Sequence, residues 1–296
     1  MSEIKEIVAV GSIAFDSIET PKGKREHMLG GSATFFGIGA SIFSKVHLIG
    51  VVGNDFSDKE WDIFNKFNIS TSSIQIDNGK TFSWGGVYNK DFSSRETKFT
   101  HLGVFENFKP NIIEKVSNPI LYLGNIQPEL QFDVINKIKN PYLIAADSMN
   151  LWIDLFPKDV WELIAKVDIL MLNDEEALQL TGETNLENII KQFLSLGPQI
   201  VIIKMGGDGC LVACENKIDH VSVVPNTNVL DPTGAGDSFA GGVLGYIACN
   251  GLSNAPLAAA YGSAVASYTV SGFGLESLVK ITHEDLQKKI KEITIS

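Results

Sequence analysis

Nowhere in these 296 residues does an apolar run approach the roughly 18 to 20 residues that a membrane-spanning helix needs. The opening stretch carries Glu3, Lys5 and Glu6 and has no basic start leading into an apolar signal core, so the expectation is a cytoplasmic protein without a membrane partner. Cysteine is scarce. Cys210, Cys214 and Cys249 are odd in number and lack Cys-x-x-Cys spacing, and two of them lie in a strand-like run, which reads as buried free thiols and not as a metal site. Positive charge is also in deficit, with 24 Lys and Arg against 35 Asp and Glu and a net charge of −11, which disfavours nucleic acid and anionic lipid as partners. A nucleotide can still bind, because local N–H groups and a metal ion outweigh a distant average charge. Two glycine signatures are missing as well. No Gly-x-x-x-x-Gly-Lys-Ser/Thr occurs, which excludes a P-loop kinase, and Gly37-Ile-Gly39 lacks the third glycine and sits in a helical run, which argues against a dinucleotide oxidoreductase.

What is present suits a soluble globular chain with a large core: 44% hydrophobic and 20% charged residues. Short runs rich in Val, Ile and Leu at Ile7 to Val10, His47 to Val52, Ile120 to Leu123, Leu143 to Ala146, Asp168 to Leu172 and Ile200 to Lys204 read as buried strands. Helix-like stretches alternate with them. That alternation predicts a mainly parallel sheet covered by helices on both faces, in a single domain over residues 1–296. Gly236 to Cys249 and Ala255 to Val270 read as closely packed Gly/Ala-rich helices, and Thr282 caps a last amphipathic one. Residues 12–28 and 73–102 break the rhythm with Thr, aromatic and Val runs punctuated by Gly and Pro, and are expected to pair into a small sheet that serves as a lid.

The strongest chemical signal is Asp231-Pro-Thr-Gly-Ala-Gly-Asp237-Ser-Phe-Ala-Gly-Gly242, a glycine turn running straight into a helix. The N–H groups of Ala235 to Asp237 would converge where the helix dipole is positive and form an anion hole. Asp237 at the same terminus could take a proton from an attacking hydroxyl. Taken alone, the same letters describe an aspartate capping a helix after a turn.

This signature resembles the C-terminal motif of the ribokinase-like (PfkB) carbohydrate kinase family. Gly30-Gly31-Ser32-Ala33-Thr34, followed by a helix and by Leu48-Ile49-Gly50-Val51-Val52-Gly53-Asn54-Asp55, is similar to its N-terminal motif. The resemblance covers nearly the whole chain. It implies a three-layer α/β/α sandwich with a small β lid, and an ATP-dependent kinase that phosphorylates a hydroxyl of a small sugar or nucleoside. It also implies Asp237 as base, Gly234, Ala235 and Gly236 as anion hole, and Asp16, Gly30, Gly31 and Asn150 as acceptor contacts. Asn173 and Glu176, from Asn173-Asp-Glu-Glu176, resemble a motif that organises Mg²⁺, water and phosphate. Lys204, Gly206 and Gly209 match the nucleotide-side loop, while Asp231 and Thr233 match positions that face a monovalent cation such as K⁺ in many relatives. Each has a plainer structural reading: Asp16 as a turn residue, Asn173 and Asn150 as helix caps, Lys204 to Gly209 as a hairpin turn.

Phe35 stands where the family often has a substrate-binding asparagine, and Asp147-Ser-Met-Asn150 lacks the arginine that usually follows such a segment. Arg95 and Trp84 on the lid segment could close over substrate or simply pack there. A homodimer through the exposed lid sheet is a further expectation. The alternative to a kinase is a catalytically silent sugar- or nucleotide-binding protein of the same fold, which an intact Asp237 disfavours.

Overall fold

The computed structural model describes residues 4–113, 115–215 and 217–296. Met1 to Glu3, part of the opening read above for a leader, lie outside the described residues. The chain runs β1 (Ile7–Val10), β2 (Ala14–Thr20), β3 (Gly23–Gly30), α1 (Ser32–Ser41), β4 (Val46–Gly53), α2 (Asp58–Lys66), β5 (Ser70–Asp77), β6 (Phe82–Tyr88) and β7 (Arg95–His101). It continues through β8 (Ile120–Leu123), α3 (Pro128–Lys137), β9 (Leu143–Asp147), α4 (Asn150–Leu155), α5 (Pro157–Ile164), β10 (Ile169–Asn173), α6 (Asp174–Thr181) and α7 (Leu186–Leu194). The last part is β11 (Ile200–Lys204), β12 (Cys210–Cys214), β13 (Lys217–Val221), α8 (Ala235–Asn250), α9 (Ala255–Thr269) and α10 (His283–Ile290).

Among the described residues, nine strands form the main sheet in the order β13-β12-β11-β10-β9-β8-β1-β4-β5. From β11 to β5 every neighbouring pair is parallel, and β12 and β13 close one side antiparallel. Strand residues alternate between two cores, as the two-residue period of a strand requires. Ile7, Ala9, Tyr122, Ala145, Met171 and Ile202 face α1, α8 and α9, whereas Val8, Val10, Leu121, Leu123, Leu170 and Val201 face α3, α5 and α7. Because both faces are covered, these strands read as continuous apolar runs in the sequence. The fold is therefore the expected α/β/α sandwich.

On one face, α1, α8 and α9 pack backbone to backbone. A Cβ on Gly242 would lie 2.9 Å from the Gly262 Cα, so small residues set the spacing of this pair. That spacing fixes where the N-terminus of α8 stands above the sheet.

A second sheet, in the order β3-β2-β6-β7, is built from residues 14–30 and 82–101. The stretch expected at 73–102 is thus divided, since β5 pairs with β4 in the main sheet and only β6 and β7 join the small one. Alternating Ser, Thr and Ile identify β5 as a strand but carry no mark of which sheet will take it. Thr20 Oγ1 donates to the Leu230 carbonyl at 2.9 Å, and the Tyr88 and Thr233 hydroxyls lie 3.1 Å apart, so the small sheet is tied to the turn before α8. The small sheet also carries charge pairs, Lys24–Glu26 and Lys98–Glu96 at 2.6 and 2.8 Å. Of the three free thiols, only Cys210 is fully buried; Cys214, in the antiparallel strand β12, and Cys249, at the end of α8, are partly exposed. No helix among the described residues is long and apolar enough to cross a membrane.

Candidate active site

Parallel strands end at one edge, and here three adjacent ones end in polar residues: β9 at Asp147, β10 at Asn173 and β11 at Lys204. Asn173 and Lys204 are in register, and Lys204 lies two residues beyond Ile202, so its side chain emerges on the face covered by α8. Its Nζ donates to Asp147 Oδ2 at 2.6 Å, on a neighbouring part of the same edge. A Cβ placed on Gly236 would stand 3.4 Å from that ammonium, which seats the first turn of α8 directly over Lys204.

The turn itself owes its shape to Gly234. This residue caps α8 with φ 76° and ψ 3°, and a Cβ there would lie 2.3 Å from the ring of Phe35. Gly236 has no positive φ, so of the two glycines in the turn only Gly234 needs the left-handed backbone. Phe35, buried on α1, thus packs beneath the turn and leaves acceptor contacts to other groups. Asp231 fastens the turn from the other side: Oδ1 accepts from Thr233 N at 2.9 Å and Oδ2 from Gly274 N at 3.2 Å. Asp231 and Thr233 are both engaged in holding this loop, and no chemical step is assigned to a monovalent ion beside them.

Asp237 occupies the first turn of α8. Although it keeps some exposure, protein crowds the carboxyl group, and this desolvation together with Asp147 pushes its pKa up to about 7 against the opposing pull of Lys204 and Arg95. Asp16 lies across the cleft on β2. Burial raises its pKa to about 7, with the Gly31 N–H pulling it down and Asp231 and Asp237 adding to the rise. A Cβ on Gly30 would lie 2.0 Å from Asp16 Oδ2, so the carboxylate rests against bare backbone. Asp16, Gly30, Gly31 and Asp237 therefore belong to one cleft.

Glu176 and Asn173 form a reciprocal cap at the start of α6, with Asn173 N donating to Glu176 Oε2 at 2.9 Å and Glu176 N to Asn173 Oδ1 at 2.7 Å. Burial lifts Glu176 to about 7 while Lys204 opposes the shift and Asp147 adds to it. Lys204 responds in the other sense. Burial favours its neutral form, but Asp147 and Glu176 outweigh that and hold the ammonium above its ordinary pKa. No three His, Cys, Asp or Glu side chains among the described residues converge on a metal position. The donor set does not fit an all-protein cage, so a divalent ion held here would keep most of its ligands from phosphate and water.

Two expected residues are held by local contacts of their own. Asn150 opens α4 and its Nδ2 donates to Gln179 Oε1 at 2.6 Å, so its amide is satisfied by α6 and not turned to the groups around Asp16. Gly209, at φ 88°, is required by the hairpin, since a Cβ would lie 2.1 Å from the Val221 carbonyl oxygen; Gly206 instead presents open backbone with nothing within 4 Å of a Cβ. Two contributors were not assigned roles from the sequence: Asp147 and Tyr88. A lone charge closing an otherwise apolar parallel strand was the available signal for Asp147. Tyr88 becomes visible only once β6 is folded against the turn before α8, whereas Arg95, named from the sequence as able to close over substrate, lies near enough to Asp237 for its charge to act on it.

Comparison with known proteins bears on the family and the fold. The family described as pfkB family carbohydrate kinase matches residues 5–281. A cytidine kinase of Thermococcus kodakarensis is 28% identical over 250 residues, covering 81% of this chain and 88% of that protein. The crystal structure of the Methanocaldococcus jannaschii nucleoside kinase, an archaeal member of the ribokinase family, matches with TM-score 0.80 at 21% identity, over 98% of this chain and 99% of that one. A fructokinase double mutant from Vibrio cholerae, bound to fructose, ADP and potassium ion, matches with TM-score 0.81 at 17% identity, again over 98% and 99%. At these identities the two structures establish the fold.

The raised carboxylates give a test in stability. A carboxyl group that titrates near 7 when folded and near 3.8 when unfolded binds more protons in the folded state between those values, so its contribution falls as pH rises through that window. Asp237→Asn removes this penalty. The Tm difference between variant and wild type, measured by differential scanning fluorimetry, is expected to be near zero close to pH 4 and to grow in favour of the variant up to about pH 7. A difference independent of pH contradicts the raised value.

Proposed function

The chain belongs to the pfkB family of carbohydrate kinases, and with that as premise we propose that it moves the γ-phosphoryl group of ATP to a hydroxyl of a nucleoside, with Asp237 taking the proton. The observation that carries this is Asp237 in the first turn of α8, at a pKa of about 7, next to the backbone N–H groups that follow Gly234. A base near neutrality is deprotonated often enough to act and basic enough to accept a proton as the hydroxyl attacks. Of the amides expected to form the anion hole, that of Ala235 donates to the Pro232 carbonyl at 3.2 Å and closes the turn, which leaves those of Gly236 and Asp237 at the helix start to stabilise charge building on the phosphoryl oxygens.

The other residues divide the work by side. Asp16 accepts hydrogen bonds from acceptor hydroxyls, seated against the Gly30–Gly31 backbone. Asn173 and Glu176 stand on the nucleotide side with the open backbone at Gly206. Lys204 keeps Asp147 neutralised beneath the turn, and its ammonium has further donors for phosphate. Mg²⁺ brought with ATP would neutralise phosphate charge that this acidic cleft otherwise repels. The small sheet, tied at Thr20 and Tyr88 to the turn before α8, covers the cleft and excludes water as a lid.

A nucleoside is favoured over a free sugar by what surrounds Asp16. Met28 and Trp84 are its cross-strand partners on β3 and β6, and they join Tyr88, Phe92 and Phe273 in a continuous apolar cluster. A carboxylate for ribose hydroxyls beside a flat indole and a thioether suits a sugar that carries a base. The likeness to a cytidine kinase points the same way.

An ADP-release assay with nucleosides and with ribose or fructose as acceptors tests the whole reading, nucleosides being the expected substrates. In that assay Asp237→Asn is expected to lower kcat by about 10² to 10⁴, the usual contribution of a general base, while ATP binding persists. Turnover near wild type would refute Asp237 as base. Asp16→Ala is expected to raise the acceptor KM by about 10- to 100-fold, the equivalent of a charged hydrogen bond, with the ATP KM unmoved. An unchanged acceptor KM in a less stable protein makes Asp16 a structural turn residue.

A further inference from the structure

The turn from Asp231 to Asp237 is held on both of its arms by the last turn of α9. On the incoming arm, the carbonyl of Val270, the residue that caps α9, accepts from Leu230 N at 2.7 Å and from Asp231 N at 3.3 Å. On the outgoing arm, Thr269 Oγ1 donates to Ser238 Oγ at 2.7 Å, and Ser238 Oγ donates in turn to the Ala235 carbonyl at 3.1 Å. Ser238 and Thr269 are both fully buried and stand 31 residues apart in the chain. A serine that bonds only the carbonyl three residues before it is an ordinary feature of helices. Ser238 differs because a second buried hydroxyl, from another helix, orients it. Apolar groups of the same shape would fill this contact between α8 and α9 about as well, so packing alone does not call for two hydroxyls here. On its other side the same turn meets α1, where a Cβ on Gly39 would lie 3.0 Å from the Ser238 carbonyl oxygen.

We propose that Thr269 and Ser238 are positioning residues for the reaction: their hydroxyl chain pins the Ala235 carbonyl and thereby aims the Gly236 N–H at the phosphoryl group in transfer. This rests on the reading of the α8 start given above. The link is the peptide bond itself. The Ala235 C=O and the Gly236 N–H belong to one rigid plane and point in opposite directions across it, so a hydrogen bond that fixes the oxygen also fixes the direction of the N–H. The preceding plane is fixed as well, through the bond from Ala235 N to the Pro232 carbonyl at 3.2 Å. Gly236 lies in the first turn of α8, where N–H groups have no partner within the helix, and it is partly exposed whereas Ser238 is not. Gly234 and Gly236 bring no side chains with which the turn could hold its own shape, so the constraint comes from the neighbouring helix. Charge in transfer is best stabilised by donors already in place, because an amide free to tilt has to be reoriented at the moment of reaction.

The test sets two substitutions at one position against each other. Thr269→Val keeps the shape and removes the hydroxyl, whereas Thr269→Ser keeps the hydroxyl and removes a methyl; kcat, both KM values and Tm are measured for each, with MgATP and the nucleoside of highest turnover in the ADP-release assay. Thr269→Val is expected to lower kcat about three- to tenfold, the worth of one net hydrogen bond, with both KM values within about twofold. Thr269→Ser is expected to keep kcat within about twofold of wild type while its Tm falls, as a small cavity requires. Ser238→Ala, which cuts the last link, is expected to lower kcat at least as far as Thr269→Val, and adding Thr269→Val to it is expected to change kcat by less than about twofold. A pair that matters only for packing gives the reverse pattern, a loss with serine and none with valine. That pattern, or losses that multiply across the two positions, overturns the proposal. If Asp237→Asn is impaired while Thr269→Val and Ser238→Ala keep wild-type kcat, only the pinning role falls; if neither nucleosides nor sugars release ADP, the kinase reading fails and this one with it.

Discussion

Asp147, Glu176 and Asp237 gather around one buried ammonium, that of Lys204, at the carboxyl edge of a parallel sheet, and Asp16 closes the same cleft from the lid. Burying charge is unfavourable unless each group is paired, and here Asp147, Glu176 and Asp237 share Lys204, with Arg95 adding a smaller pull on Glu176 and Asp237. The remaining imbalance appears as raised pKa values on Asp16, Glu176 and Asp237, which means that folding holds these groups in a state they would leave in water. Such an arrangement weakens the fold, and a binding site gains from it what stability loses. On the proposed function, a metal ion carried by a nucleotide and an acceptor hydroxyl that needs deprotonating would both find complementary groups already in place.

The scaffold that tolerates this is rigid where it must be. Gly242 and Gly262 bring α8 and α9 together, Phe35 fills the space under Gly234, and Asp231 ties Thr233 to Gly274. Between them these contacts determine where the amides after Gly234 point. The four-stranded sheet is held more lightly, by Thr20 and Tyr88 at its inner side and by an exposed Arg25–Glu276 pair at 3.2 Å, which is the balance expected of a cover that must open for substrate.

Much of this was legible in the sequence because buried parallel strands leave continuous apolar runs. β1, β8 and β11 fall at the residues their Val/Ile/Leu runs mark, and α6 spans Asp174–Thr181 as its cap predicts. The glycine turn into α8 was equally readable, since a glycine motif at a helix start has few alternative shapes. What the sequence did not reveal depends on pairing across long separations. β5 looks like its neighbours in the lid, α4 and α5 lack a strong pattern around Phe156-Pro157, and the union of Asp147 with Lys204 joins residues 57 apart in the chain. Likewise Asn150 and Gly209 match a motif by their letters, while their local hydrogen bonding and packing account for them without a ligand.

The claim at the centre is that the cleft brings Asp237 to neutrality so that it can serve as base. The pH dependence of kcat/KM for the acceptor, with MgATP saturating, tests it most directly, because that ratio reports ionisations of the enzyme before the acceptor binds. The account predicts an acidic limb in which activity falls tenfold per pH unit below an inflection near 7. A profile that stays flat from pH 8 down to about 5, as an ordinary carboxylate would give, contradicts it.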